Sequence, residues 1–277
     1  MTLSERNTIF KTGIVFCSIC ALFVSAASFL IIPILPEIME EYTRRPVNIF
    51  QFLTGFFMGN DYYAVYASLG ASVLYSLISI ILIHFFFERT SAPEILYIAI
   101  FTISSAFESF RLIMPLHHIY NFSLFYVSVA SKILLFTRFF SIFSLFAAGL
   151  CAAGLEVQKT RNVIFVMIIA AVVITLSVPI DGSNWDTSLN IVNSYISMFT
   201  LVELAAFITT MISFFIAANI RDSREYVNVA IGVMLALTGR GFLINVDNWI
   251  GPVPGILLLS FGTRFLCSKL HKIHLWL

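Results

Sequence analysis

The sequence predicts an all-α, polytopic transmembrane helical bundle of about eight spans with both termini cytoplasmic, and three observations lead there. Of the 277 residues, 59% are hydrophobic and 11% charged, with a mean hydropathy of +0.94, whereas soluble domains carry about a quarter charged residues. Apolar runs repeatedly reach the roughly 20 residues a helix needs to cross the hydrocarbon. Lys and Arg recur in alternate connections, the pattern that orients membrane proteins.

The first span is expected over residues 11–35, closed by Pro36. Arg6 and Lys11 precede it and Ser25-Ala26-Ala27 could pass for a cleavage site. The apolar stretch nevertheless continues through Phe29-Leu30-Ile31-Ile32 to Leu35, too long for a cleaved signal core, so it reads as a retained anchor. Residues 36–61 form the one sizeable extramembrane segment. Within it, residues 46–59 are too short to span and too apolar to float free, which points to an interfacial or re-entrant helix on the outer face. The second span, 62–87, opens with tyrosines at headgroup level and stops at Glu88 and Arg89. Pro93 opens the third, 94–114, which Pro115 closes. The fourth, 125–154, is long enough to tilt, and the fifth, sixth, seventh and eighth are expected over 162–179, 191–219, 226–246 and 249–269. Neither an internal repeat nor a soluble linker divides the chain, so residues 1–277 read as a single membrane domain.

Orientation follows from the short connections. Arg6 and Lys11, Arg89, Lys159 and Arg161, Arg221 and Arg224, and Lys269 and Lys272 all fall on one side of an eight-span chain. The opposite connections carry His117, His118, Asp181, Asp186 and Asp247; Arg44 and Arg45 are the exception, beside Glu37, Glu40 and Glu41. Trp185 and Trp249 sit where an outer aromatic belt belongs. The expected location is the bacterial cytoplasmic (inner) membrane.

Ionisable side chains inside spans cost roughly 2.5–3.5 kcal/mol each on insertion scales, so they mark function or structural pairing. Glu108 and Arg111 on the third span, Lys132 and Arg138 on the fourth and Arg240 on the seventh share the outer half, and Glu203 lies near mid-depth on the sixth. These are four bases against two acids, which favours an anionic visitor. Glu108 and Arg111, three apart, lie on one face. Lys132 and Arg138 are six apart, roughly 120° from alignment, and need not share one. Arg264 can snorkel to the inner interface. Ser104, Ser105, Ser109, Thr137, Ser141, Asn193, Ser194, Ser197, Thr200 and Thr238 add polar groups at comparable depths, though such residues also glue helices together. The expected site is therefore an outer-half cavity lined by Arg111, Lys132, Arg138 and Arg240, with Glu108 and Glu203, for a carboxylate, phosphate or lipid headgroup. The competing reading makes Glu108 with Arg138, and Glu203 with Arg240, structural ion pairs.

Other chemistries find little footing. Cys17, Cys20, Cys151 and Cys267 lie in or at the ends of apolar runs and read as buried small apolar residues, Cys17-x-x-Cys20 included. His117 and His118 lack a fixed third ligand, so neither a metal nor a cofactor is expected. No phosphate loop, nucleophile elbow or H-E-x-x-H occurs, so an enzyme is disfavoured and no catalytic residue is assigned. The near-zero net charge of +1 offers no field for nucleic acid.

The stretch Ile250-Gly251-Pro252-Val253-Pro254-Gly255-Ile256-Leu257-Leu258-Leu259-Ser260-Phe261-Gly262 and the polar break Glu88-Arg89-Thr90-Ser91-Ala92-Pro93 resemble features of bacterial seven-helix signalling modules of the 7TM-DISM type. The resemblance covers residues 61–277 and implies a sensor that passes a signal inward. Residues 36–61 stand in place of that family's outer domain and no output domain is expected after Leu277, so such a sensor is expected to act on a separate protein. Three further readings stand beside it: a transporter or lipid-handling protein for an anionic substrate, a structural subunit of a larger membrane complex, and a membrane-embedded enzyme. The expected partners are membrane lipids, an anionic small molecule or headgroup, and a partner protein.

Overall fold

In the computed structural model, residues 3–34, 61–88, 92–154, 160–180, 186, 188–190, 196–246 and 248–276 are described. Among them the chain is helical without a β-strand, and eight helices are long and apolar enough to cross a membrane. The first span is Leu3–Ile31 and the second Tyr62–Phe87; the third runs Pro93–Ala106, Phe107–Leu112 and Ile113–Tyr120 without a gap. The remaining five are Leu124–Ala152, Thr160–Ser177, Ile196–Ile220, Glu225–Ile244 and Pro252–Trp276. The segment 46–59 expected at the interface lies outside the described residues.

Several boundaries differ from the sequence expectation, the eighth span running on past 269 to Trp276, and two of the differences have a local reason. The first helix starts at Leu3, eight residues before Lys11, because Arg6 is buried against the end of the second span. Its Nη2 donates to the carbonyls of Phe87 at 2.7 Å and Glu88 at 3.1 Å, satisfying groups that a helix C-terminus leaves without intrahelical donors. The third span continues through Pro115 to Tyr120, and Asn121 ends it in the left-handed conformation (φ 50°, ψ 42°) that asparagine tolerates at a helix terminus.

Pro115 explains how that span is built. A proline inside an α-helix clashes with the carbonyl four residues earlier and has no N–H to donate. Here residues Phe107–Leu112 form a 3-10 helix and the α-helix restarts at Ile113. Pro115 thereby falls in a first turn, where an N–H has no intrahelical partner to lose. The break packs on the first span through Phe107 and Phe16, whose rings lie 4.5 Å apart.

The third span is the axis of the bundle: 83% of its most apolar window is buried, against 22% for the fifth and 28% for the first. Around it the first, second, eighth, seventh, sixth and fourth spans follow in order, and the fifth lies outside on the fourth. The seventh and eighth spans approach to backbone contact. A Cβ added at Gly239 would lie 2.4 Å from the Leu259 nitrogen, and one at Gly262 2.6 Å from the Ala236 nitrogen. Small residues allow this closeness, which replaces the missing hydrophobic drive between helices in lipid.

One end of the bundle gathers Arg6, Phe87, Cys151, Arg221, Glu225, Lys269 and His271. Lys269 pairs with Glu225 at 3.0 Å, Arg221 reaches the Cys151 carbonyl at 3.5 Å, and Phe87 meets His271 edge-on at 5.5 Å. At the opposite end Asp61 caps the second span by accepting from the Tyr63 N–H at 3.0 Å and takes the Trp249 indole N–H at 2.5 Å. The two ends match the alternation read from the basic residues, and the Asp61 end is the one expected to face outward. All four cysteines are free thiols.

Candidate functional site

The 3-10 segment sets the site's first two groups. With three residues per turn, positions i and i+3 eclipse each other, so Glu108 and Arg111 project to the same side rather than 60° apart. Both are buried, at 2% exposure, and Arg111 Nη1 lies 3.8 Å from Glu108 Oε2. The fourth span brings Arg138, the middle residue of a 29-residue helix. Its Nε donates to Oε1 at 3.0 Å and its Nη2 to Oε2 at 2.7 Å, a bidentate fork that is the strongest form of this pairing. Arg240 on the seventh span places Nη2 3.8 Å from Oε1. It also donates through Nη1 to Ser141 Oγ and lies over the Phe101 ring at 5.5 Å, a cation–π contact. Three guanidinia from three spans therefore share the Glu108 carboxylate.

A second group of residues enters from the connection between the fifth and sixth spans. Asn190 Oδ1 accepts from Arg138 Nη2 at 2.7 Å, and its Nδ2 donates to Ser188 Oγ at 2.9 Å and to the Ile244 carbonyl at 3.2 Å. Ser188 in turn donates to Asp186 Oδ2 at 2.8 Å. The turn closes on itself through Asp186 N–H to Asn190 O and Leu189 N–H to Asp186 O, both 2.9 Å. Leu189 is held at φ +58°, a conformation uncommon for a branched side chain and one that concentrates at functional sites. A polar chain thus runs from Glu108 through Arg138 and Asn190 to Asp186, tying the fourth span to the last carbonyl of the seventh.

Beside this network lies a cleft of about 40 Å³, room for about three water-sized groups. Among the described residues its polar lining is Arg111, Arg138, Asn190 and Ser131. Its fourth-span wall is Val127, Ala130, Ser131, Leu134, Leu135 and Arg138, a single helical stripe at i, i+3, i+4, i+7, i+8 and i+11.

The structure brings Glu108, Arg111, Arg138 and Arg240 together but distributes their roles. Arg111 and Arg138 face the cleft, whereas Arg240 sits behind Glu108 against Phe101 and Ser141. Lys132 is half-buried outside the cleft lining, as its angular offset from Arg138 allows. Glu203 is exposed on the flank of the sixth span. It lies within electrostatic reach of Arg138 and Arg240 and forms no ion pair with either. The intramembrane hydroxyls mostly serve their own helices. Ser104 donates to Ile100 O, Ser105 to Phe101 O, Thr137 to Leu134 O, Ser141 to Arg138 O and Thr238 to Met234 O, the local closure expected where water is absent.

Sequence reasoning placed Asp186 in a connection and did not single out Ser188 or Asn190. The available signal was the polar D-x-S-x-N spacing of residues 186–190 directly before an apolar run. Among the described residues no group of three metal-ligating side chains occurs. The chain matches no family model, and no curated protein or solved structure matches it.

Proposed function

We propose that this integral membrane protein is a ligand-binding, sensory module that takes up a small anionic group at the Asp61 end and acts through a partner protein. Its setting in this proposal is the bacterial cytoplasmic membrane, with the Asp61 end outward. The observation that carries the reading is the cleft itself, whose polar lining among the described residues is two guanidinia, an amide and a hydroxyl. An anion arriving there meets donors held by a built network, the preorganisation that binding favours.

Two features favour a sensor over a carrier. Between the site and the opposite end, Ile95–Phe101 of the central span is buried throughout, so the described residues present a site at one end and a packed core toward the other. An anion drawing Arg111 and Arg138 away from Glu108 also acts on the 3-10 turn of the axial helix, and mid-helix 3-10 segments often mark hinges.

The test is a thermal-shift series on protein in nanodiscs of neutral lipid with a panel of small anions at constant ionic strength. Saturable stabilisation by at least one anion, lost in Arg138→Gln and kept in Lys132→Gln, is expected. A flat response across the panel, with wild type and Arg138→Gln behaving alike, would overturn the reading. Flux of the stabilising anion into sealed liposomes would reassign the cleft to a transporter.

A further inference from the structure

The lipid-facing side of the eighth span changes character along its length. Leu257, Phe261, Arg264, Ser268 and Lys272 are all exposed. At about 100° per residue they fall within an arc of about 80°, a single face of the helix. The seventh span packs on a different side, where Gly262 meets the Ala236 nitrogen and Leu259 meets Gly239.

The ion pair of Lys269 with Glu225 at 3.0 Å, with the Lys269 ammonium also over the Phe265 ring at 5.5 Å, marks the end of the span. Arg264 lies five residues deeper, about 7.5 Å toward the membrane centre, one turn from the exposed Phe261. Its guanidinium has neither a hydrogen bond nor an ion pair to a described residue. A charge exposed at that depth is costly unless it snorkels to the interface or meets an opposite charge. Neighbouring charges do not supply one, because Glu225 is already taken by Lys269 and is also acted on by Lys272. Three bases thus face one acid at this end of the span.

Ser268 stands midway, four residues from Arg264 and four from Lys272, about 6 Å along the helix from each. Lys272 leans toward Ser268 because helical side chains tilt toward the N-terminus, and Arg264 is long enough to turn back toward it. A phosphodiester over Ser268 therefore meets a guanidinium fork, an ammonium and a hydroxyl, level with the Lys269–Glu225 pair. From Ser268 to Leu257 is 11 residues, about 16 Å, half of the roughly 30 Å hydrocarbon thickness. Charge at the end and apolar side chains toward the centre is the order of a phospholipid in the leaflet at this end. A soluble anion uses only the charged half of the face, and a zwitterionic headgroup brings a cation of its own against surplus bases. We propose that this face binds an anionic phospholipid of the leaflet at the Lys269 end, its phosphodiester between Arg264 and Lys272 and a tail along Phe261 and Leu257. The site is separate from the cleft at the opposite end and stands without it.

Protein in phosphatidylcholine nanodiscs with increasing phosphatidylglycerol is followed by melting temperature, and by native mass spectrometry for retained lipid. Saturable stabilisation and a retained phosphatidylglycerol are expected. Arg264→Gln should raise the half-saturating lipid fraction about fivefold, the equivalent of the roughly 1 kcal/mol that one basic residue contributes at an anionic surface. Arg161→Gln, which removes an exposed base at the start of the fifth span, should leave it nearly unchanged. Ser268→Glu sets an acid between the two bases and should abolish the response, and it carries the test if Arg264→Gln fails to fold. Glycerol 3-phosphate in pure phosphatidylcholine discs is expected to leave the melting temperature unchanged. Equal losses in Arg264→Gln and Arg161→Gln overturn the site in favour of diffuse attraction to the charged surface. Phosphatidylcholine retained as firmly as phosphatidylglycerol overturns the charge selectivity, and stabilisation by glycerol 3-phosphate that Arg264→Gln removes overturns the role of the tail. A phosphatidylglycerol response that Ser268→Glu leaves intact, or none in the wild type, overturns the proposal.

Discussion

Replacing Glu108 with Gln keeps the side chain's volume and removes the charge that three guanidinia share. Arg138 loses a fork whose two bonds are 3.0 and 2.7 Å long, and Arg111 and Arg240 each lose an opposite charge at 3.8 Å. If the centre behaved as a set of neutral interhelical hydrogen bonds, the loss would be about 1 kcal/mol or less, since such bonds average roughly 0.6 kcal/mol in membrane proteins. Breaking a buried ion pair by removing one partner instead costs about 3–5 kcal/mol, because the remaining charges stay buried without compensation. At about 2–4 °C per kcal/mol for chains approaching this size, the second case lowers the melting temperature by about 6 °C or more. Differential scanning fluorimetry in nanodiscs reads the shift. The double variant Glu108→Gln with Arg138→Gln should lose clearly less than the two single losses added, since both act on one pair. A Glu108→Gln shift within 2 °C of wild type, or additive losses in the cycle, would refute the shared-carboxylate account.

Five further substitutions test separate parts of the structure by the same melting assay. Gly239→Ala drives a Cβ to 2.4 Å from the Leu259 backbone nitrogen and should cost about 1–3 kcal/mol as overpacking. Gly241→Ala, two residues along the same helix with open space at its Cβ, should instead gain about 0.5–1 kcal/mol; equal effects would contradict the close seventh–eighth span packing. Pro115→Ala lets the third span run as continuous α-helix, so it should raise stability while moving Arg111 about 60° from eclipse with Glu108 and weakening anion binding; unchanged binding would separate the 3-10 turn from the site. Arg6→Ala removes the donors to Phe87 O and Glu88 O and should cost about 1–3 kcal/mol, with an unchanged melting temperature refuting the cap. Asn190→Ala should lower stability by about 1–2 kcal/mol through Arg138 and the Ile244 carbonyl and weaken anion binding, which a purely structural loop residue would leave intact.

By itself the sequence determined the spans and the depth of their charges, because hydropathy is a local, additive property and depth follows from counting residues along a helix. It located Glu108, Arg111, Arg138 and Arg240 in one layer for that reason, and the Glu108–Arg111 spacing already put those two on one face. Azimuth was another matter. In helices apolar on every side, lipid-facing and protein-facing residues look alike, so nothing in the sequence made the third span the axis or the fifth a peripheral helix. Only packing separated Arg138, which grips Glu108, from Lys132, turned about 120° away on the same helix. Packing also folded residues 186–190 into the bundle, where Asn190 joins the fourth span to the seventh. Pro115 reads locally as a stop. The span instead passes through a 3-10 segment before Pro115 and restarts as α-helix, because tertiary contacts hold Met114 and the residues around it in the bundle, and burial there outweighs the propensity to end.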